Sequence, residues 1–283
     1  MRLHLPTAVC TAALAMAITS CNTDTATTPE NKSHESPDKI SNTDFKMTIK
    51  SAIRYYDIKS TEYPCKLSLQ ATVDWPETIG EHNLDNLHSY IIGSVNDSVK
   101  ASDIDSAILT YVDTPERFGL GDSISQVTAF NGLSESNYES AVRIRLMSVD
   151  TATVNFSIAK WSYMGGAHPM SYNTVFTYNL KQSKVIDNPW LFKPGYESTL
   201  QPVLEQRFAE KAGMTPAQLK KTMLVNKFPI SENVYLQDGN IMFCYNPYEV
   251  LPYSFGEIDV AIEPYAVKDI LTPQASALVG YDQ

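Results

Sequence analysis

Alternation of apolar and polar residues limits the fold of this chain more than any other feature. It runs through residues 67–73, 142–146 and 154–158, and it predicts strands that bury one face and leave the other in water. Apolar residues at helical spacing come between and after these stretches, at 84–99 and 200–208. Because strands and helices do not alternate one by one, we do not expect a doubly wound parallel sheet. The sequence predicts an α+β fold with antiparallel sheets, packed helices and two related subdomains.

Local signals place individual elements. Apolar spacing predicts a helix over residues 104–112, and residues 215–218 have the spacing of a capping box with proline at the first helical position. The dipeptide Asp238-Gly239 predicts a tight hairpin between two short strands. We expect an N-terminal α+β domain over 45–178 and a C-terminal α+β domain over 179–283.

The N-terminal segment has the features of an export signal. An uncharged apolar run over residues 8–18 follows Arg2, and as a helix it would reach only about 16 Å, against about 30 Å for a bilayer core. Small residues precede Cys21, so residues 1–20 are predicted to be a lipoprotein signal peptide that leaves diacylglyceryl and palmitate groups on Cys21. An ordinary signal peptide with a coincidental cysteine is the alternative.

The next segment is polar and predicts a flexible tether. Residues 21–44 contain almost nothing apolar, so they cannot bury enough surface to offset the entropy lost on ordering. We therefore expect a protein of the bacterial cell envelope, bound to the outer membrane through the lipid at Cys21. Its body would face either the periplasm or the exterior.

The charge of the chain limits its binding partners, and its cysteines allow two alternatives. The net charge of −10 argues against nucleic acid, whose recognition needs basic patches. Besides Cys10 in the signal peptide and Cys21, the chain contains Cys65 and Cys244. In an oxidising compartment these two can form a disulfide, or they can be two buried thiols. The sequence leaves both alternatives open.

Common catalytic and metal-binding motifs are mostly missing. The chain has no G-x-S-x-G, H-E-x-x-H or C-x-x-C pattern and no glycine-rich phosphate loop. Residues 157–160 match S-x-x-K, but in a predicted strand the serine and lysine would point to opposite faces. The histidines lack metal-ligand spacing, so we predict no metal and no cofactor. Paired carboxylates for glycan hydrolysis remain an open alternative.

Two loops carry the candidate site residues, and the first contains a histidine. Gly165 and Gly166 permit backbone angles that other residues avoid, and Pro169 holds His168 in an extended conformation. This arrangement could position an imidazole for acid–base chemistry or, together with Tyr163, for ligand contact. The alternative is a structural turn in which His168 binds the backbone.

The second loop, residues 246–256, is rich in tyrosine and proline. Its prolines, including Pro252, stiffen the backbone that carries Tyr248, Glu249 and Tyr253. Tyrosines on a preorganised loop give a large contact area at low entropic cost. The same rings could also pack on a sheet edge with their hydroxyls in water. The residues favour neither ligand binding nor packing.

These loops carry a resemblance to a domain-of-unknown-function family. Residues 163–169, 178–181 and 246–256 resemble the extracellular region of RsiV-type anti-sigma factors and the N-terminal domains of PdaC-type peptidoglycan deacetylases. The likeness covers about residues 45–275, and it implies a PdaC-like domain followed by an RsiV-like domain. It also implies a partner such as lysozyme or peptidoglycan, with Tyr248, Pro252 and Tyr253 as candidate contacts.

The resemblance and the missing motifs together favour a binding protein. We see no segment like the catalytic domain of PdaC-type enzymes or the membrane helix of RsiV, so we expect neither deacetylation nor signalling by cleavage. The predicted function is a non-enzymatic binding module for cell-wall glycan or a protein such as lysozyme. The alternatives are a glycan hydrolase or deacetylase that uses His168 as acid or base, and a structural subunit of an outer-membrane assembly.

Overall fold

A large sheet organises the N-terminal part of the molecule. Its strands are β1 (Phe45–Lys59), β2 (Cys65–Ile79), β3 (Ser123–Val127), β4 (Asn137–Val149), β5 (Thr153–Tyr163), β6 (Met170–Asn179) and β7 (Lys184–Val185). In space they follow the order β3-β1-β2-β4-β5-β6-β7. Neighbouring strands are antiparallel except β2 and β4, which are parallel. The one parallel pair arises because helices intervene between β2 and β4, whereas the sequence predicted only antiparallel pairs.

The computed structural model describes residues 44–59, 65–96, 101–119, 123–128 and 137–280. The predicted signal peptide, the lipidation site Cys21 and the tether up to residue 43 lie outside these ranges. Within these ranges, none of the helices has both the length and the apolar character needed to cross a bilayer.

Two helices, α1 (Asp85–Val95) and α2 (Ile104–Val112), cover one face of the large sheet. Leu87, Ile91 and Val95 of α1 are buried in the same core as the alternating apolar residues of β2, and the strand predicted at 67–73 is confirmed. Each buried leucine or isoleucine contributes roughly 1.5–3 kcal/mol through removal from water. The helix predicted at 104–112 has the predicted bounds, and the side chain of Asp103 caps it by accepting from the Ser106 amide.

A second, smaller sheet and four helices form the C-terminal part. The strands are β8 (Val234–Gln237), β9 (Asn240–Tyr245) and β10 (Ile258–Ile262), in the order β10-β9-β8. The helices are α3 (Asn188–Leu191), α4 (Glu197–Lys211), α5 (Pro216–Thr222) and α6 (Pro273–Leu278). The predicted capping box begins α5, and the predicted Asp238-Gly239 turn joins β8 to β9 with positive φ angles at both residues. This part has its own buried core, separate from the core under α1 and α2.

Asparagine side chains of the C-terminal part cover the open edge of β6. Asn233 accepts a hydrogen bond from the Val175 amide at 2.8 Å and donates to the Asn173 carbonyl at 2.7 Å. Asn246 accepts from the Asn173 amide at 2.6 Å and donates to the same carbonyl at 2.9 Å. The two side-chain amides therefore take the place of a neighbouring strand for the Asn173 amide and carbonyl and for the Val175 amide.

The polar side of β5 and β6, which the sequence predicted to be exposed to solvent, is partly buried. Asn155 and Thr177 are buried there because β8 packs over them. Asn155 donates to the Leu236 carbonyl at 2.7 Å, and the Thr177 hydroxyl accepts from the Leu236 amide at 2.7 Å. The polar residues of this face therefore form a hydrogen-bonded junction between the two sheets.

The two cysteines within the described ranges are free thiols. Cys65 is buried in the core under the helices, whereas Cys244 is buried beside Val175 and Tyr235 where the two sheets meet. The disulfide alternative is therefore wrong: the two residues belong to separate buried clusters, and each packs as a small apolar side chain.

Candidate functional site

The histidine loop and the 246–256 loop meet at the surface. The His168 imidazole stacks on the ring of Tyr253, with 3.7 Å between centroids and 14° between planes. The Tyr248 hydroxyl lies 3.3 Å from Nε2 of His168. We call His168, Tyr248 and Tyr253 the aromatic cluster. The sequence predicted each loop as a separate candidate, and the structure brings the two together.

The hydrogen bonds of His168 define which nitrogen carries the proton. Nδ1 lies 2.8 Å from the carbonyl oxygen of Pro169, which can only accept. In the neutral ring Nδ1 therefore donates, and Nε2 accepts from the Tyr248 hydroxyl. Within the part of the chain that the structure describes, no carboxylate binds this imidazole. The geometry gives a ring oriented by a backbone carbonyl, with its basic nitrogen turned towards a tyrosine.

The histidine loop depends on its glycines. Gly165 and Gly166 have φ angles of 84° and 100°, which L side chains rarely adopt. A Cβ at Gly165 would also come within 3.3 Å of the Tyr138 ring. The Tyr163 hydroxyl closes the turn by donating to the Gly166 carbonyl at 3.1 Å. Three of the predicted site residues thus shape the loop that presents His168.

The 246–256 loop is braced by its own polar groups. The Glu249 carboxylate accepts from the Asn246 amide at 3.0 Å, and the Tyr248 amide donates to the Leu251 carbonyl at 3.0 Å. Tyr248 has a φ of 72°, a conformation that costs a non-glycine residue about 1–2 kcal/mol. Pro252 then precedes the 3₁₀ turn that carries Tyr253. Surrounding contacts therefore hold Tyr248 in a strained conformation, which is common at ligand-contacting positions.

Several large apolar side chains that lie near the aromatic cluster residues along the chain are exposed. Tyr248 is 45% exposed, and Met170, Tyr172 and Phe255, which follow the cluster residues along the chain, are 45%, 50% and 38% exposed. Single exposed apolar side chains are normal on any surface, whereas a group of them marks a site of interaction more often. The two loops and the first residues of β6 therefore form the best candidate contact surface among the described residues.

A second cluster, which the sequence did not predict, lies behind the same loop. The Cys244 thiol and the carboxyl groups of Glu257 and Asp259 have ligand atoms within 4.8 Å of one another. We call these residues the thiol–carboxyl cluster. Cys244 entered the sequence analysis only as a disulfide candidate. The missed signal is the spacing of two acidic residues, two positions apart, at the start of a strand whose residue 259 pairs with Cys244.

Burial dominates the electrostatics of the thiol–carboxyl cluster. It raises the pKa of the Cys244 thiol, with further increases from Glu257 and Asp259, and it raises the pKa of both carboxyl groups. The pKa of the neighbouring Tyr235 is raised for the same reason. Oδ1 of Asp259 is buried and has no hydrogen-bond partner among the described residues. A metal ion would need these groups deprotonated, and the raised pKa values oppose that.

Comparisons with known proteins give the fold a family context. Two solved structures of DUF3298 proteins share the fold. One, from Bacteroides fragilis, has a TM-score of 0.60 and 17% identity and covers 84% of this chain and 98% of its own. The other, from Pseudomonas aeruginosa, has a TM-score of 0.55 and 16% identity and covers 82% and 97%.

Sequence matches are shorter. Esterase Rv3036c of Mycobacterium tuberculosis is 28% identical over 106 residues, which are 37% of this chain and 46% of that protein. The match thus spans less than half the length of the curated relative. Residues 190–265, which include the whole 246–256 loop, match the model of a family described as a protein of unknown function, DUF3298. The chain is therefore similar to DUF3298 proteins in fold, and its C-terminal part is similar to them in sequence.

Proposed function

We propose that this protein is a non-enzymatic binding module of the bacterial cell envelope. Its ligand would be a cell-wall glycan or a protein such as lysozyme, held at the aromatic cluster. The observation that carries the proposal is the contact of His168 with both Tyr248 and Tyr253, at an exposed surface built from two loops. The resemblance to RsiV-type and PdaC-type domains supports the choice of ligand.

The bracing of the two loops explains why such a surface would bind. Tyrosine rings offer large contact areas and few rotatable bonds, so they lose little entropy when a ligand orders them. Hydrogen bonds within the 246–256 loop have already fixed its backbone before any ligand arrives. The stacking of His168 on Tyr253 fixes the second loop against the first. Preorganisation of this kind improves affinity by lowering the cost of binding.

We propose that a lipid on Cys21 anchors this module to the membrane. A tether over residues 21–44 would let the body move about 25–30 Å from the membrane, by the scaling of flexible chains. Growth with labelled palmitate tests the anchor. The wild-type protein should incorporate label, and Cys21→Ser should not. Equal labelling of the two proteins would contradict lipidation at Cys21.

Calorimetry tests the binding proposal. The full chain, made without its lipid as Cys21→Ser, is titrated with lysozyme and separately with soluble muropeptides. A Tyr248→Ala, Tyr253→Ala double variant should bind the true ligand at least tenfold more weakly, which is about 1.4 kcal/mol. Tyr265→Ala is the control, because this tyrosine is exposed and lies outside the aromatic cluster. Absence of heat with both ligands, or equal loss in the control, would overturn the proposal.

A second candidate is a hydrolase or deacetylase that uses His168 as acid or base. Two observations favour it: the match to a protein named an esterase, and the contact of Nδ1 with a backbone carbonyl, which orients the His168 ring and turns Nε2 towards Tyr248. Hydrolysis of p-nitrophenyl acetate and of acetylated cell-wall glycan should then fall by at least a hundredfold in His168→Ala, which is the usual contribution of a general acid or base. Rates at the uncatalysed background in the wild-type protein would eliminate this candidate.

A further inference from the structure

A cleft of about 360 Å³ opens next to the candidate contact surface. Tyr111 and Arg117 line it from the helical layer, and Lys160 and Tyr172 line it from the sheet. Pro247, which lies between Asn246 and Tyr248 in the braced loop, closes one side. The cleft is therefore continuous with the loop that carries the aromatic cluster. Its volume falls in the range of small-ligand sites.

The charge of this cleft is opposite to that of the protein. The chain has 32 acidic and 22 basic residues, for a net charge of −10. Two of the residues that line the cleft, Arg117 and Lys160, are basic, and no aspartate or glutamate of the described residues lines it. On an acidic protein, a concave site whose charged lining residues are both basic attracts anions locally and concentrates them, although the Glu249 carboxylate, which hydrogen-bonds Tyr172, weakens this effect.

The Arg117 guanidinium is positioned by aromatic rings and has no carboxylate partner among the described residues. Its guanidinium carbon lies 4.1 Å from the centroid of the Tyr111 ring and 4.7 Å from that of Phe118. None of the ion pairs among the described residues includes it. Desolvation against its surroundings lowers the pKa of Arg117 from its ordinary value, the direction expected of a cation without a carboxylate beside it. The guanidinium stays charged, and its fork of N–H donors matches a carboxylate.

The remaining walls suit a sugar ring. Tyr172 is half exposed and pairs across the strands with Lys160, so the two side chains leave the sheet on the same face. The faces of aromatic rings carry partial negative charge, which attracts the C–H groups of a pyranose. Ser140 and Ser162 add hydroxyl groups to the lining. Aromatic faces, hydroxyls and a cation in one small cleft match the groups of a saccharide that carries a carboxylate.

We infer that this cleft binds an acidic saccharide unit, with its carboxylate on Arg117 and its ring against Tyr172. The inference deepens the proposed function, on which it rests: it assigns the chemical class of the glycan that the surface would recognise. Bidentate contact between a guanidinium and a carboxylate gives orientation as well as affinity. The aromatic cluster would then contact the continuation of the glycan beyond Pro247.

A matched pair of sugars tests the inference. The full chain with Cys21→Ser is titrated with methyl glucuronide and with methyl glucoside, which differ in one carboxylate, while amide chemical shifts are recorded. The glucuronide should bind at least fivefold more tightly at low salt, and this preference should shrink as salt is added. Arg117→Gln should bring the two affinities together, and Arg117→Lys should leave an intermediate preference. Arg145→Gln, a change of an exposed arginine outside the cleft, should alter neither.

The outcomes separate this inference from the proposed function. Equal binding of the two sugars by the wild-type protein overturns the inference, whether or not lysozyme or muropeptides bind at the aromatic cluster. Inorganic phosphate that displaces the glucuronide at equal concentration overturns the saccharide part. If muropeptides bind and lose affinity only in the tyrosine variants, the proposed function stands and the acidic cleft does not. Should Arg117→Gln fold poorly, the salt dependence and Arg117→Lys still decide the result.

Discussion

The aromatic cluster lies on two surface loops, the thiol–carboxyl cluster lies where the 246–256 loop joins β9 and β10, and the two differ in environment. Tyr248 is 45% exposed, whereas Cys244 is fully buried. In the first cluster, rings contact one another and a hydroxyl meets an imidazole. In the second, a buried thiol lies close to two carboxyl groups, and desolvation raises the pKa of Cys244 and of Asp259. The first is the candidate ligand contact, and the second opposes folding once its carboxyl groups ionise.

Asn246 lies between the two clusters along the chain, and its hydrogen bonds stabilise the fold of this region. Its side chain binds the edge of β6, and its backbone amide binds Glu249. Neither cluster supplies those contacts. The loop is therefore held by an asparagine between the clusters, which leaves the aromatic residues available for contact.

Replacement of Asn246 should have the largest effect. Asn246→Ala leaves the Asn173 amide without its partner and removes one of the two side-chain donors to the Asn173 carbonyl, so we expect a loss of about 1–3 kcal/mol in the free energy of unfolding. Urea unfolding measures it. Asn240→Ala, in the β8–β9 turn, should cost less than half as much, because its side chain makes only a 3.4 Å contact. A loss below 0.5 kcal/mol, on the same scale of hydrogen-bond energies, would show that the edge is held by other contacts.

Replacement of His168 should have an intermediate effect on stability. His168→Ala removes one stacked pair at the surface, which is worth about 0.5–1.5 kcal/mol. His88 is a matched comparison, since it also stacks on an aromatic ring, Trp75 at 4.0 Å, and lies 2.7 Å from a proline carbonyl. His88→Ala should destabilise at least as much without any change in ligand binding. If only His168→Ala destabilised the protein, His168 would be the structural residue of the two.

Replacement of Asp259 should have the smallest effect on folding stability. It should stabilise the protein, whereas the other two replacements destabilise it. Burial raises the folded-state pKa of this carboxyl, so folding favours its protonated form. The native protein should lose stability as pH rises from about 4, the ordinary carboxyl value, through the raised pKa. Asp259→Asn should therefore stabilise the protein at neutral pH, by less than about 1 kcal/mol because the residue is only partly buried. The gain should vanish at low pH.

Thermal unfolding at several pH values measures the Asp259 effect. Asp269→Asn is the control, because Asp269 is an exposed aspartate outside the cluster. A gain for Asp259→Asn that is independent of pH would mean that the amide forms new contacts, and it would contradict the electrostatic explanation.

Sequence reasoning succeeded where the deciding forces are local. The helix at 104–112, the capping box at 215–218 and the Asp238-Gly239 turn depend on neighbours within a few positions, and each lies where it was predicted. Alternation also identified the buried face of β2, because a strand has only two sides. These features need no knowledge of distant parts of the chain.

Features that depend on distant contacts could not be predicted. His168 and Tyr248 are 80 positions apart, and nothing local to either loop indicates that they meet. Asn155 and Thr177 have the polarity of a wet face, and only the docking of β8 makes them buried. The thiol–carboxyl cluster likewise depends on the pairing of β9 with β10. In each case the sequence contains the residue types, and the topology brings them together.

The asparagine side chains along β6 have a consequence for how the protein is made. Before residues 233 and 246 leave the ribosome, the amides of Asn173 and Val175 and the Asn173 carbonyl belong to an open strand edge, the kind of surface on which chains aggregate. We therefore expect the N-terminal half to aggregate more readily when the C-terminal half is missing. A truncation after residue 180 should accumulate as insoluble material, because the residues that cover this edge are synthesised last.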